Sequence, residues 1–231
     1  MSGEGRFSHP SMPGGGITDN GPVTRCVLLD ALGTLVALEP PWPLLAAELG
    51  IAPGERIEHA VRAEMRYYRD HSHEGRDAES LADLRRRCAA IVSRELGRDV
   101  TPPQLMAAIR FRAFPDAHPA LAELRRLGLR LVCVSNWDCS LPDVLARCGL
   151  AGSLDGVVTS AVAGVRKPDP AIFAAALEVA GCKPSEALHV GDSPAEDVEG
   201  ARAAGIGALL IGRDGAGDIE SLAAIRHHLE S

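Results

Sequence analysis

The sequence predicts an α/β protein: a doubly wound parallel sheet with helices on both faces, interrupted once by an all-helical insert. Three observations predict it. Short apolar runs without helical spacing, such as Cys26–Leu29 and Ala187–Val190, read as fully buried strands. Segments of helical periodicity alternate with these runs, the pattern of parallel strands joined by covering helices. Between about Pro43 and Phe114 the alternation stops and only helical spacing remains.

Taken in order, residues 1–22 carry many Gly, Pro and Ser, including Gly14-Gly15-Gly16, and almost nothing to bury. The expectation there is a mobile tail. Its glycines neither follow a strand nor open a helix, which argues against a phosphate loop. The core is expected over 23–38 and 113–231, with the helical insert over 39–112. The first strand delivers Asp30 and breaks at Gly33. In the insert, Ile57, Val61, Met65 and Tyr68 form one amphipathic stripe, and Leu81, Leu84, Cys88 and Ile91 a second. Leu105, Ile109 and Arg112 suggest a third helix.

After Pro115 a helix near 117–127 leads to a strand at Arg130–Val134, a helix from Ser140 and a short strand at Gly156–Thr159. Asp169 and Pro170 have the cap and first-turn chemistry of a helix reaching Val179. Ala187–Val190 is the next strand, and Ser193-Pro194 opens a helix with the same cap chemistry. Ile206–Ile211 is a further strand and Ile219–Leu229 a last helix.

Hydrophobic residues make up 46% of the 231, enough for a sizeable core. Lys and Arg number 24 against 31 Asp and Glu, a net charge of −7 with no basic tract, and aromatic residues are only 3%. Both facts argue against nucleic acid as a partner, since it needs a cationic surface and stacking platforms. The opening residues lack the apolar stretch of a signal peptide, and no run approaches the roughly 18 apolar residues of a membrane span. The six cysteines form no Cys-x-x-Cys pair. The expectation is a reduced, cytoplasmic protein without a membrane partner.

Four strand ends carry polar groups. Asp30 and Thr34 follow the first strand, Ser135 and Asn136 another, Lys167 precedes the helix at Pro170, and Asp192 and Asp197 follow the strand at Ala187–Val190. In a parallel sheet these ends share one edge, so the groups can converge. Three carboxylates facing one lysine repel, by about 4 kcal/mol for a pair about 4 Å apart at intermediate dielectric. A hard dication with oxygen ligands would neutralise them, and Mg²⁺ suits carboxylates combined with substrate phosphate. Thr34, Ser135 and Lys167 would add donors for an anion, a set that suggests phosphoryl transfer to Asp30.

In that order the four segments resemble the four motifs of the haloacid dehalogenase (HAD) superfamily, over about residues 26–212. The helical insert falls where that superfamily places its cap. The resemblance implies a Rossmann-like core with a helical cap and a hydrolase acting on a small phosphorylated molecule. It makes Asp30 the nucleophile, with Lys167 catalytic beside it. Thr34, Ser135, Asn136 and Lys167 would bind the transferring group, and Asp30, the backbone carbonyl of Leu32, Asp192 and Asp197 would hold Mg²⁺.

One position departs from the pattern. Phosphatases of the superfamily usually carry a second Asp two residues after the nucleophile, as proton donor to the leaving group; here that residue is Leu32. General acid catalysis is typically worth about 10²–10⁴-fold, so alkyl phosphates should suffer and esters with good leaving groups least. The 2-haloacid dehalogenases of the superfamily also lack this Asp, and their Asp-Ala-Tyr-Gly-Thr is close to Asp30-Ala31-Leu32-Gly33-Thr34. They replace the first acid of the last motif, however, whereas Asp192 is present here. The reading from sequence is a Mg²⁺-dependent phosphatase, with a metal-independent dehalogenase and a non-catalytic binding protein as alternatives. A receiver domain is set aside, because it has no long insert after its first strand. Outside the motifs, His71 and His73 read as a solvated loop, Arg62, Arg66 and Arg69 as a wet helix face, and Trp137-Asp138 as the border of the site.

Overall fold

A computed structural model describes residues 23–229. The expected tail, 1–22, lies outside the described residues. The chain runs β1 (Cys26–Leu29), β2 (Val36–Leu38), α1 (Pro41–Leu49), α2 (Glu55–His71), α3 (Ala78–Leu96), α4 (Pro102–Ala108) and β3 (Phe111–Ala113). It continues through α5 (Ala117–Arg126), β4 (Arg130–Ser135), α6 (Leu141–Arg147), β5 (Gly156–Thr159), α7 (Ser160–Ala163) and α8 (Pro170–Ala180). Last come β6 (Ala187–Gly191), a π-helical turn (Pro194–Glu199), α9 (Gly200–Ala203), β7 (Gly207–Leu210) and α10 (Ile225–Leu229).

Five strands form one parallel sheet in the order β5-β4-β1-β6-β7. The strand nearest the start of the chain is therefore central. Alternation along β1 sends Val27 and Leu29 into one core layer and Cys26 and Leu28 into the other. The first layer includes Leu121 of α5, Leu145 of α6 and Ile225 of α10; the second includes Phe173 of α8 and Ala201 of α9. Both faces are covered, which explains why the strands read as unbroken apolar runs.

Gly33 takes φ +83° and lets the chain turn sharply out of β1. β2 and β3 then pair antiparallel, Val36 with Ala113 and Leu38 with Phe111, and hold the two ends of the helical insert together. The insert has a separate apolar cluster that includes Leu45, Ile57, Val61, Leu84, Val92 and Leu105.

Three expectations are corrected. The third insert helix ends at Ala108, and Arg112 lies in β3. Strands three residues long are too short for an alternation to be read. The helix expected from Ser193 is a π turn followed by one turn of α-helix, although Ser193 Oγ does accept the Glu196 amide as a cap. The helix expected from Ile219 begins only at Leu222, as a 3₁₀ turn, because Ile219 bridges to Ile211. All six cysteines are free, and among the described residues no helix is long and apolar enough to cross a membrane.

Candidate active site

The carboxyl ends of β1, β4 and β6 lie side by side at the centre of the sheet, where the chain switches sides. Asp30 leaves β1 with its amide bonded to the Val190 carbonyl, 2.9 Å, and its side chain is buried. One carboxylate oxygen, Oδ1, accepts Ser135 Oγ at 3.0 Å and Lys167 Nζ at 2.6 Å. Lys167 Nζ also donates to Asp197 Oδ1 at 2.5 Å. The lysine is held from behind: Asn136 Oδ1 accepts its backbone amide at 2.8 Å, and Asn136 Nδ2 donates to its carbonyl at 3.0 Å.

Asp197 is fully engaged. Its Oδ1 also meets His189 Nε2 at 2.9 Å, and its Oδ2 accepts the Ser193 amide at 3.0 Å. Since the carboxylate can only accept, Nε2 carries the ring hydrogen of this contact. A side chain at Gly191 would collide with Asp197, and one at Gly33 with Asp192, so both backbones approach these carboxylates as only glycine allows.

The electrostatics follow from burial and pairing. Burial alone would lower the Lys167 pKa, but Asp30 and Asp197 hold it well above the usual range. Burial would raise the Asp197 pKa, yet the Lys167 charge and the His189 hydrogen bond pull it far below the usual range. Asp30 is raised, by burial and by Asp197, against the pull of Lys167. Asp192 is exposed beside them and is pushed up to about 6 by partial burial and by the charges of Asp30 and Asp197.

Oxygens of Asp30, Asp192 and Asp197 lie within 4.8 Å of one another, the one such acidic group among the described residues. Against Lys167 the three carboxylates leave an excess of two negative charges, the deficit a dication would fill. The donors fit: the Asp192 carboxylate and Asp30 Oδ2 accept no hydrogen bond among the described side chains, whereas both Asp197 oxygens are occupied.

The remaining sequence candidates fall differently. The Leu32 side chain is exposed to the cavity over the site, where it can move no proton. Thr34 is wholly buried, and its hydroxyl has no partner among the described residues. The His71 ring stacks on Tyr67 and bonds the Tyr67 carbonyl, away from the acidic group. Arg62 pairs with Glu58, but Arg69, read as a wet-face residue, lines the cavity. That cavity, about 570 Å³, lies between the strand ends and the insert, with Trp137 and Asp138 on its wall. Sequence reasoning missed His189, hidden in an apolar strand. It also missed the bond from Tyr68 of the insert to Asp138 of the core, 2.8 Å.

The family model for haloacid dehalogenase-like hydrolases matches residues 24–205. The chain belongs to this family. Among curated relatives, the phosphoserine phosphatase of Thermus thermophilus is 42% identical over 108 residues, 45% of this chain and 42% of that protein. The chain spans about half the length, or less, of the first curated relatives it matches. Among solved HAD structures, a HAD phosphatase from Thermococcus onnurineus superposes with a TM-score of 0.63 at 27% identity, covering 89% of this chain and 98% of that one. A 2-haloacid dehalogenase from Pseudomonas syringae gives 0.60 at 25%, covering 90% and 98%. The HAD fold here is thus shared by a phosphatase and a dehalogenase.

Proposed function

We propose that the chain is a Mg²⁺-dependent phosphatase of small phosphorylated molecules, working through a phosphorylated Asp30, with residues 39–112 as the cap over its site. The observation that carries the reading is the Asp30–Lys167–Asp197 chain with Asp192 beside it, an acidic site two charges short of balance. Lys167 and Ser135 both bond Oδ1 of Asp30 and hold the carboxylate in place. One carboxylate oxygen forms the bond to phosphorus, the other being left to the metal, as the ester oxygen departs with its electron pair. Water then cleaves the acyl phosphate, releasing phosphate and restoring Asp30.

Ser135 and Lys167 stand where they can hold the phosphoryl oxygens, and Asn136 keeps Lys167 in place. The buried Thr34 hydroxyl, without a partner among the described residues, would serve the same group. Asp30, Asp192 and the Leu32 carbonyl would hold Mg²⁺, with Asp197 orienting its waters. The ion would supply charge neutralisation between the carboxylates and the phosphate. No side chain two residues past Asp30 protonates the leaving oxygen, which takes its proton from water.

A dehalogenase reading draws on Leu32, because halide needs no proton. Asp192 opposes it: an exposed carboxylate without a metal would repel a haloacid approaching Asp30.

The test is hydrolysis of p-nitrophenyl phosphate, whose leaving group needs little protonation, with Mg²⁺ and with chelator. Turnover should require the metal and fall on the order of 10³-fold or more in Asp30→Asn. Turnover indifferent to both would refute the proposal, and halide release from haloacids without metal would replace it.

A further inference from the structure

One carboxyl in the cavity wall has no part in the chemistry above. Glu64 lies on α2 in the row of buried residues Ile57, Ala60 and Val61, at a position where a helix packed on an apolar cluster ordinarily carries an aliphatic residue. It is 6% exposed and lines the same cavity as Asp30. Among the described residues no hydrogen bond and no cation holds its carboxyl, and the thiol of Cys88 is the polar group beside it. A thiol is a weak donor, and a glutamate this buried is rare without a strong partner. Burial accordingly raises its pKa.

A buried acceptor left this poorly satisfied works against the fold, and it is tolerated where a ligand completes it. The cavity, about 570 Å³, is of a size that takes a small organic molecule rather than phosphate alone. One wall carries Asp30, Ser135 and Lys167; Glu64 belongs to the insert. One turn beyond Glu64 on α2, the Tyr68 hydroxyl is fixed to Asp138 of the core, which holds this face of the helix toward the site.

We infer that Glu64 is a specificity-determining residue whose carboxyl accepts a hydrogen bond from a hydroxyl or ammonium group on the leaving portion of the phosphate ester, at its end away from phosphorus. The inference rests on the phosphatase reading and adds a substrate class to it: phosphate esters whose alcohol part carries a second polar donor. A carboxyl offers acceptor oxygens whether ionised or not, so it serves both donors, while only the ammonium gains from the charged form.

The test compares kcat/KM for phenyl phosphate, 4-(hydroxymethyl)phenyl phosphate and 4-(aminomethyl)phenyl phosphate. All three have aryl leaving groups, so Leu32 masks none of them. Wild-type enzyme should prefer one substituted ester over phenyl phosphate by about tenfold or more, since a site built to bond a donor rejects the analogue lacking it. In Glu64→Leu that ratio should collapse to within about threefold, while the melting temperature stays level or rises as an ill-satisfied carboxyl leaves the interior. Glu64→Gln separates the sources: it keeps a preference based on a hydroxyl and loses one based on an ammonium. Glu64→Met repeats the measurement with a more pliable side chain if the leucine variant does not fold.

A wild-type enzyme that does not discriminate among the three overturns the inference. So does a Glu64→Leu enzyme that keeps the ratio and melts lower, for then the carboxyl is structural. Inactivity toward all three, phenyl phosphate included, removes the phosphatase reading and this inference with it.

Discussion

Lys167 is the residue on which the site depends, because it is a fully buried ammonium between two carboxylates. Its neighbours were legible in the sequence for a physical reason. Asp30, Ser135 and Asp192 each close an apolar run, and a charge or hydroxyl at the end of a buried strand is conspicuous. The bracing role of Asn136 was not legible, since its amide serves a backbone more than thirty residues away. Glu64 was hidden for another reason: the stripe reads as Ile57, Val61, Met65, Tyr68, but the buried face turns slightly and takes in Ala60 and Glu64 instead of Met65. Two predictions belong at this scale. Leu32→Asp restores a proton donor in the cavity and should raise turnover of alkyl phosphates by about 10²-fold or more, against a small change for p-nitrophenyl phosphate. A folded variant with no gain on alkyl esters would contradict the role given to Leu32. The second concerns Asp192, which must lose its proton to take Mg²⁺ and does so near about 6. Calorimetric Mg²⁺ affinity should be flat above about pH 7 and weaken up to about tenfold per unit below 6. An affinity unchanged down to pH 5 would exclude Asp192 as a ligand.

At the scale of elements, the sheet and its covering helices follow from period: apolar runs for strands, three- and four-residue spacing for helices. The β2–β3 ladder does not, because three residues carry no period and its pairing is set by the fold around it. The junction between insert and core was equally silent: the Cys139 amide donates to the Gly75 carbonyl at 2.8 Å, and a side-chain bond crosses beside it. Tyr68 donates to Asp138, a buried carboxylate whose other oxygen accepts the Ser140 amide at 2.7 Å. Tyr68→Phe should cost about 1–3 kcal/mol in urea denaturation, the penalty for a buried acceptor left unmade. Amide exchange should quicken in α2 while β4 is unaffected, since local opening follows local contacts. Equal exchange in both elements would show that the bond does not hold the insert down.

Across the whole molecule, a second polar knot ties distant parts together. Arg213, beyond β7, donates to the carbonyls of Gly33 and Thr34 and forms two contacts, 2.9 and 3.0 Å, with Asp116. Asp116 also accepts Ser221 Oγ and the Leu222 amide, each at 2.8 Å. Burial raises the Asp116 pKa, but these donors outweigh it and leave the pKa below its ordinary 3.8. A carboxylate depressed in this way contributes stability above its unfolded value and loses it as pH falls through the folded one. Asp116→Asn should therefore be about 1–3 kcal/mol less stable than wild type at pH 7. The gap should narrow as pH drops below about 4. Urea melts at pH 7 and pH 3 measure both, and a gap constant with pH would show that the charge is not what matters.

The central place of β1 also bears on when the protein can act. Asp30 leaves a ribosome well before the partners of its strand, which begin at Arg130 and Ala187. Lys167 and Asp197, which set its charge, also come more than a hundred residues later. A growing chain thus carries the Asp30 carboxylate without these partners through more than a hundred residues of synthesis. The cluster of carboxylates is complete only when β6 and the turn after it close against a strand that has waited for them.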